Sequence, residues 1–356
     1  MSIHTFTVRI PNMKNGKYWA TRKMLFNLMV ESLDDSSDLR KCICHYMTRS
    51  YSIIAVHFHQ FPGVIVELKK LRIPHLDIRV NPSVLIGGDY DDLYSFDVQT
   101  MQECEKQINA LLKMLHLYDR FMDLMLVRCD CTYDIDLRDG CTVEQLLNCV
   151  RRTAVARGYE RVQFPETVDN AKEKNKHSFR VACDDIELTV YDKSYQLMAE
   201  NLMPEDRIPP DRMRLEVSLR RNAFRRVLLG METEDRISGQ EALELFDRYS
   251  KDLLRCYFSH ILTPGAYLRF DQAVQRIEKS NYRADTKEMM ILFLHMVSCK
   301  TSGGITEAKR EMKQYYTKNE IRYMLKCFEN LNLNPATLPN KCPVKQVPSL
   351  KDMIAD

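Results

Sequence analysis

The chain has 356 residues, 45% hydrophobic and 28% charged, with only 11 Gly and 13 Pro, which excludes a fibrous or largely disordered protein and leaves room for two domains. A net charge of +3 announces no nucleic-acid partner by itself, but six Arg stand against one acid, Glu216, between 212 and 226, and nine Lys or Arg against four Glu between 300 and 345. The 12 Cys are scattered with no CxxC pair, which points to reduced thiols, and Cys42 and Cys44 before His45 lack a second pair to complete a zinc site.

Taken in order, Ile3 to Ile10 alternates as a strand does, and Met1 leads straight into it, so no signal peptide is expected. Tyr18 to Glu31 has helical spacing, and Tyr51 to His59, Val64 to Leu68 and His75 to Val80 read as strands, with a turn at Phe61-Pro62-Gly63. Val98 to Leu117 is helical, with Ile108, Leu111, Leu112 and Leu115 on one side. Leu124 to Leu137 is the next strand, and Thr142 to Arg157 a helix capped by Thr142. His177 to Ala182 and Ile186 to Tyr191 form an antiparallel pair joined near Asp184 and Asp185. Ser194 to Asn201 is a short helix, and Met213 to Arg220 the last strand. From Asn222 onward every segment reads as helical, and Lys341 onward as a loose terminus. No apolar run approaches the ~20 residues of a membrane span, so no membrane partner is expected.

Three of these strands pair an apolar face with a charged one, because side chains alternate. In the first, Asp130, Thr132, Asp134 and Asp136 share a face. Carboxylates spaced about 7 Å apart along a strand repel one another. A divalent cation or a cationic substrate would relieve that, and so would plain solvent. The second strand puts Glu187, Thr189, Tyr191 and Lys193 together; the third, Arg214, Glu216, Ser218 and Arg220. The expectation is an α+β fold: an antiparallel-rich, palm-like sheet in residues 1–234, with helices on one face and its polar face as working surface. A helical domain follows over 235–340, then a tail over 341–356.

Arg128-Cys-Asp130-Cys-Thr-Tyr-Asp134, Tyr191-Asp192-Lys193 and Arg214-Leu-Glu216 resemble, in that order, three strand motifs of rolling-circle replication initiators of the Rep_trans plasmid and phage type and of related relaxases. The resemblance covers roughly 75–230. It implies a metal-dependent nicking and joining endonuclease in which a tyrosine attacks a DNA phosphodiester, forms a 5′-phosphotyrosyl link and frees a 3′-hydroxyl to start replication of a plasmid, phage or other mobile element. Tyr191 or Tyr195 would be the nucleophile and Lys193 a phosphate contact. Asp130, Asp134, Glu187 and Glu216 would supply oxygen ligands suited to Mg²⁺ or Mn²⁺. Arg214, Arg220, Arg221 and Arg225 would meet DNA. The partners implied are single-stranded or cruciform origin DNA, a host helicase and a second copy of the chain, in the bacterial cytoplasm.

His57-Phe58-His59 is a literal His-hydrophobic-His on one strand face, the motif that names the HUH nucleases, and it offers a second metal site. It lies far upstream of Tyr191, and the carboxylate-type initiators lack it. In the tail, Ile305 to Met312, a turn at Tyr315 to Thr317, and Asn319 to Leu331 have helix-turn-helix spacing, with Lys318, Arg322 and Lys326 on the second helix. A basic helix packed on a bundle reads the same way. Two rivals to nicking stay open: a non-catalytic DNA-binding regulator or structural protein that keeps the palm, and a metal-dependent hydrolase unrelated to DNA.

Overall fold

The computed structural model describes residues 2–31, 54–58, 60–70, 73–93, 95–137, 140–166, 168, 170–230 and 238–354. In chain order the elements are β1 Ser2–Ile10, α1 Asn15–Glu31, β2 Ile54–Phe58, β3 Phe61–Lys70, β4 Pro74–Val80, α2 Pro82–Leu85, α3 Val98–Met114, β5 Met125–Asp136 and α4 Val143–Arg152. Then come β6 Glu160–Val162, α5 Ala171–Lys176, β7 Ser178–Ala182, β8 Ile186–Asp192, α6 Lys193–Ala199, β9 Arg212–Arg220, α7 Arg221–Gly230 and α8 Gly239–Ile261. The last are β10 Tyr267–Leu268, α9 Phe270–Glu278, α10 Ala284–Ser298, α11 Gly304–Met312, α12 Lys318–Asn330, β11 Gln346–Val347 and α13 Leu350–Met353. The fold class is the expected one, antiparallel sheet with many helices.

Two compact units are built from this chain: Met1–Thr132 with Ser218–Ser250, and Tyr133–Val217 with Lys251–Asp356. The sequence suggested an α+β domain over 1–234, a helical domain over 235–340 and a tail over 341–356. The units instead divide within β5 and β9, which each contribute residues to both.

In the first unit the strand order is β2-β3-β4-β1-β5. β2–β3, β3–β4, β4–β1 and β1–β5 all pair antiparallel, with Phe6 opposite Val80 and Cys129 opposite Phe6 on its other side. Phe6 is fully buried, with Phe96 and Phe121 at 5.7 and 6.1 Å. Asp97 caps α3 by accepting from Thr100 N, and Met101, Cys104, Ile108, Leu111 and Leu112 bury one face at helical spacing. Phe61-Pro62-Gly63 is not the hairpin turn: these residues open β3, and Phe61 pairs with Phe58. Gly63 takes φ +75°, where an added Cβ would stand 2.8 Å from Val84 Cβ.

The second unit has the order β5-β9-β8-β7-β6. The expected β7–β8 hairpin forms, with Ser178 opposite Tyr191. α4 starts with the reciprocal Thr142–Gln145 capping box. It stops five residues earlier than its periodicity suggested, because Thr153 Oγ1 donates to Val150 O at 2.7 Å and Val155 then bridges to Leu262. α9, α11 and α12 all pack on α10. The tail is not loose: β11 pairs with β10, and Cys342, Val347, Leu350 and Ile354 are buried. Arg255 Nε holds Ile354 O at 2.9 Å.

The polar strand faces differ from expectation in one respect that governs the site. They are not open to solvent at their centres. Asp130, Thr132 and Ser218 in the first unit and Arg214 and Glu187 in the second are all buried.

Candidate functional site

The three motif strands are neighbours, in the order β5-β9-β8. That adjacency is what a shared site needs. What fills the acidic face is arginine. Arg214 of β9 lies opposite Asp134 of β5 and donates Nε and Nη2 to its two carboxylate oxygens, each at 2.6 Å. One pleat along, Arg212 does the same to Asp136 at 2.7 and 3.1 Å. In the first unit Arg128 Nε donates to Asp130 at 2.8 Å and reaches Ser218 Oγ at 3.2 Å. The planar guanidinium matches a carboxylate fork. The repulsion read from the sequence is therefore relieved by alternating cations, two of them supplied by the next strand.

Tyr191 ends β8 half-buried, in the electrostatic field of Arg214, Glu216 and Asp134. Burial pushes its phenol well above the ordinary tyrosine value, and the Arg214 guanidinium, which hydrogen-bonds it, pulls the other way. Burial also works against the charge on Arg214, yet Tyr191 and Asp134 beside it hold the guanidinium above its usual range. Glu216, half-buried on β9, is the remaining carboxylate near the phenol. Glu187 shares the strand face with Tyr191 but is engaged by Arg180 Nε at 2.8 Å and by Arg180 Nη2.

Tyr195 stands in different surroundings. Asp192 caps α6, accepting from Tyr195 N at 2.9 Å, and its other oxygen lies 3.3 Å from His177 Nδ1. The Tyr195 ring stacks on His177, centroids 3.6 Å apart and nearly parallel. The two tyrosines do not share a helix face, because Tyr191 belongs to a strand and Tyr195 to the helix after it. Lys193, expected to meet phosphate, is 1% exposed and donates to Gln196 Oε1 at 3.1 Å. His177 was not anticipated as a member of this cluster. The hairpin was the available signal, since pairing Ser178 with Tyr191 sets His177 beside Asp192.

The carboxylates do not fit Mg²⁺ or Mn²⁺ as they stand. Both oxygens of Asp134 are held by Arg214, and Asp130 and Glu187 each bind an arginine. A divalent cation at Asp134 would also stand against a buried guanidinium. Among the described residues no three His, Cys, Asp or Glu side chains converge to hold a metal. His57 lies exposed on β2, paired with Ile65, and His59 lies outside the described residues.

The basic residues divide in the same way. Arg220 ends β9, half-buried, and Arg221 and Arg225 belong to α7, with side chains outside the described set. On α12, Thr317 and Glu320 form a capping box, and Ile321, Met324, Cys327 and Phe328 face inward, with Phe328 and Phe293 rings 5.9 Å apart. Lys318, Arg322 and Lys326, each four residues on, are all exposed along the other side. No helix among the described residues is long and apolar enough to cross a membrane.

No family model matches the chain, and no curated protein matches it. Among solved structures it is similar to a rolling circle replication initiator protein from Geobacillus stearothermophilus, at 8% identity over 73% of this chain and 84% of that one, with a TM-score of 0.32. That likeness is too loose to assign a family.

Proposed function

We propose that the chain nicks one strand of DNA through Tyr191 and thereby starts rolling-circle copying of a plasmid, phage or other mobile element. The observation that carries this reading is the Tyr191 phenol set against Arg214 where three adjacent strands meet. A phenol must shed its proton as its oxygen attacks phosphorus, and burial opposes that. Arg214, fixed by Asp134, favours the phenolate. Glu216 is the nearby carboxylate suited to take the proton. The Tyr191 Oη–P bond forms as the P–O3′ bond breaks. A 5′-phosphotyrosyl link results, and the departing 3′-oxygen takes up a proton as the free hydroxyl. Arg220, Arg221 and Arg225, shortly after Glu216 in sequence, are further cations suited to DNA phosphates. A host helicase and a second copy of the chain are the partners such a step calls for.

The test is an SDS-stable protein–DNA adduct on single-stranded oligonucleotides from the neighbouring genome, with EDTA or with Mn²⁺. Tyr191→Phe should abolish it and Tyr195→Phe should not. Loss only in Tyr195→Phe would move the nucleophile to the His177 stack.

A second reading, a DNA-binding protein without catalysis, is favoured by the exposed Lys318, Arg322 and Lys326 row and by the arginines that occupy the acidic face. It predicts no adduct under any condition and duplex binding unchanged in Tyr191→Phe.

A further inference from the structure

A cavity of about 350 Å³ opens in the second unit between the end of α4, the start of α9, the end of α10 and residues 337–340. Arg152, Phe270, His295, Ser298, Leu338 and Asn340 line it, and no carboxylate does. Arg152 donates Nη1 to Thr337 O at 3.2 Å, while its Nε is buried with no hydrogen-bond partner among the described residues. A buried donor left unmade is costly, and Arg152 stands on the cavity wall, where an anion would offset its charge. The rings of Phe270 and His295 meet edge-on, centroids 4.7 Å apart, so the two present an aromatic corner. Asn340 Oδ1 accepts from Asp271 N at 2.9 Å, which leaves its amide nitrogen to donate. Ser298 Oγ donates to His295 O at 2.8 Å, which leaves its oxygen to accept.

The walls are preformed. Phe270 N donates to Leu338 O at 3.1 Å, and Leu338 N to Leu268 O at 2.8 Å. α11 sits so close that a Cβ on Gly304 would come within 3.3 Å of Arg152 Cβ and 2.9 Å of Val297 O. The volume is at the small end of ligand pockets, roughly 300–1,000 Å³, so it suits one small ligand or a single unit of a longer one.

We propose that this cavity binds a single nucleotide, its phosphate on Arg152 and its base against the Phe270–His295 corner. Guanidinium matches phosphate oxygens in pairs, and a base stacks on any aromatic face. The nucleotide has two sources, free in solution or as one unit of a single strand, and the chemistry is shared. Tyr191 takes no part in the lining, so the site stands or falls apart from the nicking reading.

Isothermal titration of the full chain with dAMP, inorganic phosphate, deoxyadenosine and a short single-stranded dA oligonucleotide tests it. The expected result is saturable dAMP binding, with phosphate and deoxyadenosine each at least tenfold weaker. Arg152→Gln should weaken dAMP at least tenfold and His295→Ala severalfold. His295 is exposed, so its variant keeps the test alive if Arg152→Gln fails to fold. Displacement of dAMP by the oligonucleotide supports the site and assigns it to a strand; dAMP binding untouched by the oligonucleotide supports it as a free-nucleotide site. No heat from dAMP, phosphate binding as tight as dAMP, or dAMP affinity unchanged in a folded Arg152→Gln or in His295→Ala would overturn the proposal. Tyr191→Phe should bind dAMP as the parent does, whatever the adduct assay returns.

Discussion

Arg214 is completely buried and grips both oxygens of Asp134, 13% exposed, at 2.6 Å each. Removing one partner of such a pair leaves a buried charge uncompensated, at a cost of about 3–5 kcal/mol. Asp134→Ala should therefore lower the urea midpoint sharply. The double variant Asp134→Leu with Arg214→Met should recover much of that loss, because an apolar pair of similar volume strands no charge. A double variant as unstable as Asp134→Ala would show that the pair contributes more than mutual neutralisation.

Tyr191 ionises late, since burial outweighs the help from Arg214. The unfolded chain then releases that phenolic proton first. Stability is present below the ordinary tyrosine range and is lost as pH rises through it, from about pH 10 upward. Tyr191→Phe should flatten the alkaline fall in the urea midpoint. An identical fall in both proteins would mean that the phenol is no more buried than a surface tyrosine.

Asp77 shows the opposite dependence. Burial alone would raise its carboxyl, but bonds from Arg9 at 2.6 and 2.9 Å and Lys69 at 3.0 Å outweigh burial and hold it below the ordinary aspartate value. Its contribution is complete above the unfolded value and is lost as pH falls from about 4 toward the lowered one. Asp77→Asn should destabilise the protein at neutral pH and make its acid unfolding shallower. Parallel acid curves for the two proteins would remove Asp77 from the account.

The row Lys318, Arg322 and Lys326 touches no core. Substituting all three with Ala should leave thermal unfolding within about 1 kcal/mol. If the row meets phosphates, duplex affinity should fall, and the slope of log K against log salt should lose about 1 per contact removed. An unchanged salt slope would place the duplex elsewhere on the protein.

Much of the architecture was legible. The alternation in β5, β8 and β9 gave their neighbourhood correctly, and the stripe Ile108, Leu111, Leu112 and Leu115 is buried as its spacing required. β6 escaped because three residues carry too little periodicity to read. The C-terminal β10–β11 pair escaped because each strand has only two residues. The site was harder. Asp134 and Arg214 were both picked out, one as a metal ligand and one as a phosphate contact, yet they are partners. Which residue lies opposite which depends on strand register, and that is set by contacts 80 residues apart in sequence. A pattern within one strand cannot reveal it.

The paired arginines on β9 have a further consequence for how the second unit assembles. Arg212 meets Asp136 and Arg214 meets Asp134, so the order runs in opposite directions along the two strands, as antiparallel neighbours require. A slip of β9 by one residue would turn Arg212 and Arg214 to the face where Met213, Leu215 and Val217 are now fully buried, and leave Asp134 and Asp136 of β5 behind without them. The two ion pairs thus act as a key cut for one alignment. Their main contribution is to make misaligned forms of β5 and β9 costly, so the Arg214 guanidinium that hydrogen-bonds Tyr191 is placed in a single setting.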